Sequence, residues 1–142
     1  MIDKFRGKYW FLSNFYESPI EEENITYPTV EHYFQAQKTF NHAEKLKIAK
    51  ASKPDTAKKM GRKVSLRKDW EEVKIHVMEK GLRLKFQDPT LRKKLLATGD
   101  EELVEGNPWG DRYWGVCNGS GKNKLGKLLM KIRKELQEEY II

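Results

Sequence analysis

TVEHYFQAQKTF, Thr29–Phe40, is the stretch whose reading decides the fold. Thr29 carries a hydroxyl able to cap a helix that starts just after it. At 100° per residue Val30, Tyr33, Phe34, Ala36 and Phe40 share one side, so the spacing predicts an amphipathic helix. On the opposite side Glu31, Gln35 and Lys38 recur at i, i+4 and i+7, within about 60° of one another. A carboxylate, an amide and an amine in one row fit two readings. They line a polar cleft, or they form a charged face turned to water, which is the commoner fate of such a stripe.

On the N-terminal side, Ile25–Tyr27 is a short strand candidate that Pro28-Thr29 ends. Residues 8–16, KYWFLSNFY, place five aromatics in nine positions without helical period. They predict a short strand running into a turn at Ser13-Asn14. Its aromatics serve either as an edge plug of the core or as a stacking wall for a planar ring.

Helices continue on the C-terminal side. Asn41 with Glu44 three residues later has the form of a capped start, and Ala43, Leu46 and Ala49 carry that helix to about Ala51. Pro54 and Gly61 bracket a short helix, Asp55–Met60. Trp70–Phe86 is the longest segment, with one stripe of Trp70, Val73, Val77 and Leu84 beside another of Ile75, Met78, Leu82 and Phe86. That broad apolar front predicts a central core helix. Asp88-Pro89 caps a further helix through Leu91, Leu95 and Leu96, stopped at Thr98-Gly99. Leu103–Glu105 is a possible strand. Residues 106–122 hold five Gly, one Pro and two Trp, a composition too particular for a mere linker. The last helix begins near Asn123, with Leu125, Leu128, Leu129, Ile132, Leu136 and Tyr140 in period. The pattern is that of a mainly α fold, α+β only in minor part: one compact domain over residues 1–142, of about six helices and a few short strands.

The totals agree with a genuine core. The chain has 142 residues, 38% hydrophobic and 35% charged, with four Trp, six Tyr and six Phe, which argues against disorder despite a mean hydropathy of −0.81. Lys and Arg number 28 against 21 Asp and Glu, a net charge of +7 that would attract phosphate-bearing partners. A Lys/Glu-rich surface of the kind hyperthermophiles favour explains the same surplus. The lone Cys117 cannot form an internal disulfide and reads as a small buried residue. His32, His42 and His76 have no metal-ligand spacing, so no metal site is expected. With neither a leader pattern nor an apolar run of membrane length, the expected location is cytoplasmic.

Two loops carry possible chemistry. GSGKNKLG, residues 119–126, opens the last helix, where free backbone N–H groups near Lys122 and Lys124 would seat a phosphate. It is not a Walker A motif, since Val116 and Asn123 stand where Gly and Ser/Thr are required. In NPWGDRYWG, residues 107–115, Asp111 stands between Trp109 and Trp114. Such a loop suits a sugar or base face, and equally an Asp that caps a turn while the indoles fill the core.

FLSNFY (11–16), VEHYFQAQK (30–38), DW (69–70), KF (85–86), ATG (97–99), LVE (103–105), DRYWG (111–115) and GKNKLGKLLMKIR (121–133) together resemble the NADAR (YbiA-like) family, block by block and in order. The resemblance implies a mainly α fold and an N-glycosidase, cleaving the bond between a ribose and a base, with no metal and no cofactor. Family substrates include phosphorylated ribosylamino-pyrimidine intermediates of riboflavin synthesis and ADP-ribose attached to guanine in nucleic acid. The family's acid and lysine fall on Glu31 and Lys38, its Asp and Trp on Asp111 and Trp114, and its Asn on Asn123. Pro108-Trp109 departs from the smaller turn expected before that Asp, which bears on the shape of the base pocket.

Candidate catalytic residues are thus Glu31, Lys38 and Asp111. Candidate substrate-binding residues are Ser13, Asn14, Phe15, Gln35, Trp114, Gly121 and Asn123. The expected partner is a small phosphorylated ribosyl compound or an ADP-ribosylated nucleic acid. The alternative is a non-catalytic module binding ADP-ribose or nucleic acid, which would need neither the acid nor the amine.

Overall fold

The computed structural model describes residues 1–139; among them are six α-helices, one 3-10 segment and a two-stranded antiparallel sheet, so the chain is mainly α. Tyr140, the last member of the C-terminal stripe, lies outside the described residues. The fold clusters into two units, Asn14–Lys85 and Met1–Ser13 with the chain from Phe86 onward. No helix among the described residues is long and apolar enough to cross a membrane.

In the first of these, β1 (Ile20–Glu22) pairs with β2 (Ile25–Tyr27), Ile20 opposite Tyr27. Glu23 and Asn24 turn the hairpin with φ of 52° and 65°, the twist that a two-residue connection prefers. Ile20, Ile25 and Tyr27 bury beside Tyr33, Ala36, Ile48 and Ala57. Tyr27 and Tyr33 meet edge to face, with ring centroids 5.5 Å apart.

Helix α1 (Val30–Ala36) begins as its sequence predicts, the Thr29 hydroxyl accepting from His32 N–H at 3.1 Å. The same hydroxyl lies 2.8 Å from His32 Nδ1, while Nε2 lies 3.0 Å from the Ala51 carbonyl. A carbonyl only accepts, so Nε2 carries the proton and Nδ1 accepts from Thr29. Burial pushes the His32 pKa down, which keeps the ring neutral in this structural role.

α1 is shorter than the periodicity of Thr29–Phe40 predicts. Lys38 and Thr39 already bond back three residues, to Gln35 and Ala36, a tightened last turn. Thr39 then turns the chain, its hydroxyl donating to Glu44 at 2.7 Å and accepting from Asn41 N–H at 3.0 Å. Phe40, assigned to the apolar side, is 69% exposed, with the Arg67 guanidinium over its ring.

α2 (His42–Ala49) has the predicted Asn41 cap, and α3 (Pro54–Gly61) has Pro54 at its start. Gly61 lies inside α3 rather than after it. α4 (Trp70–Lys85) packs through Trp70, Met78, Gly81, Leu82 and Lys85, while Val73, Ile75, Val77 and Leu84 are only half-buried. Met78, Gly81, Leu82 and Lys85 follow i, i+3, i+4, i+7, so a lysine occupies a core position of the stripe.

Lys85 is buried to 1% exposure beside the Tyr16 ring, and desolvation pushes its amine down to about 7. An unfolded lysine holds its proton to about 10.4, so between those values the unfolded chain binds the extra proton. Folding stability should therefore rise with pH from about 7 to about 10, by up to about 1.4 kcal/mol per unit. Lys85→Met should flatten that slope in urea titrations run at several pH values. An unchanged slope in the variant would assign it to other groups.

The second unit opens with a 3-10 segment, Gly7–Leu12, where the aromatic run predicts a strand. The neighbours Phe11 and Leu12 are both buried, and a strand would have sent them to opposite faces. α5 (Pro89–Ala97) carries the predicted cap, Asp88 accepting from Thr90 and Leu91 N–H. The expected strand at Leu103–Glu105 is reduced to a single parallel bridge, Ile2 to Leu103. α6 (Lys124–Glu139) buries Leu125, Leu128, Leu129 and Ile132 as its period requires.

Candidate active site

Glu31 sits in the first turn of α1, its N–H donating to the Asn14 carbonyl at 3.1 Å. Gln35 stands one turn on, the i, i+4 spacing that lets the side chains meet. Its Nε2 donates to Glu31 Oε2 at 2.6 Å, a short, charge-assisted hydrogen bond. Both residues are buried, 8% and 4% exposed, so this row is no solvated face. Gln35 Oε1 is buried and has no hydrogen-bond partner among the described residues, and Asn14 Oδ1 is the same. Asn14 Nδ2 points at the Met78 sulfur, 3.4 Å away. Unmatched buried acceptors are uncommon in native proteins, and they collect where a protein does chemistry.

Lys38 lies beyond the end of α1, so the straight helical row predicted for Glu31, Gln35 and Lys38 is broken at its last member. The half-buried amine has its pKa lowered, chiefly by desolvation, with Arg62, just after α3, and Lys58 of α3 adding to the effect. Glu31 and Glu71 oppose it. The amine thus stands close enough to Glu31 to feel its charge, yet is shifted towards the neutral form. A carboxylate fixed by an amide, beside an amine whose pKa is lowered, can stabilise a developing cation or supply a nucleophile. Lys58 and Arg62 carried no sequence signal for this role.

Two open surface grooves, of about 480 and 690 Å³, lie along Thr39–Asn41 with Ser65–Asp69 and around Tyr9, Phe11 and Lys94. Neither is lined by Glu31, Gln35 or Lys38.

Phe15, next to Asn14, is half-buried in the same unit as Glu31. Ser13, Asp111, Trp114, Gly121 and Asn123 belong to the other unit. Ser13 N–H closes the 3-10 segment on the Trp10 carbonyl at 2.9 Å. Asp111 Oδ1 accepts from the N–H groups of Tyr113 and Trp114, at 3.0 and 2.9 Å, so this oxygen holds the turn. Asn107, absent from the sequence reading, clamps the same loop: it accepts from Asp111 N–H and donates to the Asp111 carbonyl and Glu105 Oε2. Trp114 is half-buried against Tyr113, whereas Trp109 is 54% exposed and fills no core.

At the expected phosphate seat, four N–H groups at the head of α6 are engaged within the chain. The N–H groups of Lys122, Asn123, Lys124 and Leu125 donate to the carbonyls of Arg112, Gly115, Tyr113 and Trp114 respectively. Donors already engaged in this way are not free for an anion. Gly121 has a structural reason of its own, since a Cβ there would lie 2.2 Å from the Gly115 carbonyl oxygen. Asn123 adopts φ of 51°, its Oδ1 accepting from Glu105 N–H and its Nδ2 donating to the buried Leu103 carbonyl. Asn123→Ala should therefore destabilise the fold by about 1–3 kcal/mol in denaturant titration, by leaving two backbone groups unmatched. A variant of wild-type stability with weakened ligand binding would restore the phosphate reading.

The NADAR domain family model matches residues 3–137. N-glycosidase YbiA of Shigella flexneri serotype 5b is 49% identical over 135 residues, covering 92% of this chain and 84% of that protein. Riboflavin biosynthesis protein VVA0006 of Vibrio vulnificus is 39% identical over 132 residues, 90% of this chain but 36% of the longer relative. Among solved structures, the NMR structure of Escherichia coli YbiA aligns with a TM-score of 0.85 and 44% identity, over 99% of this chain and 89% of that one.

Proposed function

The chain belongs to the NADAR family and is an N-glycosidase, a hydrolase of N-glycosyl bonds, and from that premise we propose that it separates a phosphorylated ribose from a nucleobase-like group. The substrate is a ribosylamino-pyrimidine phosphate of riboflavin synthesis or ADP-ribose on guanine. The name of the Vibrio relative supports the first, and the net charge of +7 suits the phosphates of either. A family match from residue 3 to residue 137, crossing both units, supports their acting as one NADAR domain. A single cysteine, Cys117, unpaired and buried, fits a cytoplasmic setting.

One observation carries the reading: the buried Glu31–Gln35 pair, 2.6 Å across, beside a lysine whose amine is shifted towards neutrality. As the base departs with the electrons of the C–N bond, positive charge develops at the anomeric carbon. Glu31 stabilises that charge, and its place in the first turn of α1 favours the ionised form. Neutral Lys38 attacks the same carbon through its nitrogen lone pair. The attacking nitrogen gives one proton to the departed base and a second to the ring oxygen, whose bond to the anomeric carbon breaks as C=N forms, and water hydrolyses this Schiff base to the free sugar and the Lys38 amine. Asp111 and Trp114, with Ser13, Asn14, Phe15, Gly121 and Asn123, keep their assignments as further catalytic and substrate contacts through the resemblance.

Incubation with a phosphoribosylamino-pyrimidine, and separately with an ADP-ribosylated guanosine oligonucleotide, tests this by mass spectrometry of the products. The expected result is free base and a ribose phosphate or ADP-ribose from at least one of them. Loss of neither N-glycosidic bond would overturn the proposed substrate class.

A further inference from the structure

Gly61 reads in the sequence as the residue after a helix, and it is instead the last, buried residue of α3. A Cβ placed there would lie 1.9 Å from Gln35 Oε1 and 2.8 Å from Gln35 Cδ. The amide therefore occupies the space that any other residue at 61 would fill. It is not free to turn over, because Nε2 is committed to Glu31 Oε2 and the flipped amide would set oxygen against oxygen. Oε1, pressed towards Gly61, accepts no hydrogen bond among the described residues. An unmatched buried acceptor is unfavourable locally, and here it falls on the residue that grips Glu31, against the one residue of α3 without a side chain.

We propose that Gly61 is a positioning residue for Glu31: by lacking a side chain it admits the Gln35 amide to the place from which Nε2 fixes the carboxylate. The inference rests on the catalytic reading of Glu31 and adds α3 to the machinery that aims it. A Cβ at 61 drives Gln35 away, and Glu31 loses the donor that sets its rotamer. A misplacement of about 1 Å at a reacting group is enough to cost about 10²-fold in rate.

The test is a cycle of Gly61→Ala and Gln35→Ala, singly and together, by single-turnover kinetics on the phosphoribosylamino-pyrimidine or ADP-ribosylated oligonucleotide that the wild type cleaves. Gly61→Ala should lower the bound-step rate by about 10²-fold while KM changes less than about threefold. Gln35→Ala should lower it similarly, and adding Gly61→Ala to that background should change it less than about twofold. If Gly61→Ala alone fails to fold, the double variant should fold, because the overlaps with Oε1 and Cδ go with the Gln35 amide and leave only the Gln35 Cβ, 3.1 Å from the new Cβ. Wild-type rates in either single variant, multiplying losses in the double, or misfolding of both Gly61→Ala proteins would overturn the proposal. Glu31→Gln run alongside separates the two readings: an active Glu31→Gln removes the catalytic premise, whereas an inactive one leaves a failed cycle to count against Gly61 alone.

Discussion

Glu31→Gln should keep the fold and lower turnover by about three orders of magnitude, the scale lost when one preorganised electrostatic contact to a transition state is removed. The substitution preserves shape, and the new amide oxygen still accepts from Gln35 Nε2, now 2.6 Å from the carboxylate. What disappears is the negative charge facing the cation that develops at the anomeric carbon. In water such a charge is well screened, but Glu31 is 8% exposed, and the lower local dielectric makes its loss expensive. Circular dichroism and single-turnover assays check the two halves of the claim. A folded variant with near-wild-type turnover would end the carboxylate role.

Lys38→Arg should be almost as damaging, and for a different reason. A lysine that merely binds phosphate stays charged, and arginine would replace it with substantial activity retained. A nucleophile must be neutral, and arginine remains protonated well beyond any assay pH. Desolvation, reinforced by Arg62 and Lys58, lowers the Lys38 pKa against the pull of Glu31 and Glu71. A depressed lysine pKa means that the neutral fraction grows as pH rises, with its half-point below the usual lysine range. The rate should climb with pH accordingly, and Lys38→Arg should fall by about 10³-fold or more, the scale of losing an essential nucleophile. Borohydride added during turnover should trap a sugar adduct on Lys38, located by peptide mass. An active Lys38→Arg without any adduct would leave Glu31-assisted attack by water as the mechanism.

These two residues differ in how far local sequence foretold them. Thr29 as cap, Val30, Tyr33 and Phe34 on the inner face, and the leucines of α6 follow from side-chain chemistry and a 3.6-residue period. So do the Asn41 and Asp88 caps and Pro54 at the head of α3. Each depends on neighbours within a turn or two, and the chain determines them without reference to the rest of the fold. The order of motif blocks likewise carried the family, because those blocks are spread over nearly the whole sequence.

Tertiary structure decided what local period cannot express. The chain leaves the helical path after Ala36, and the Thr39 hydroxyl holds the turn that follows by donating to Glu44 and accepting from Asn41 N–H. The aromatic run at 8–16 became a 3-10 segment because adjacent Phe11 and Leu12 both had to be buried. Four N–H donors at the head of α6 were claimed by carbonyls eight to eleven residues upstream, pairings that no local period expresses. Lys85 was legible in principle as a cation in an apolar stripe, but the depth of its burial belongs to packing. Glu31, Gln35 and Lys38 looked by spacing like one polar face of a helix. Packing against α3 buried the first two and brought Lys58 and Arg62 into the electrostatic surroundings of the third. Sequence supplied the candidate reactive groups of this protein; their desolvation comes from helices distant in the chain, because only packing removes water from a charged side chain.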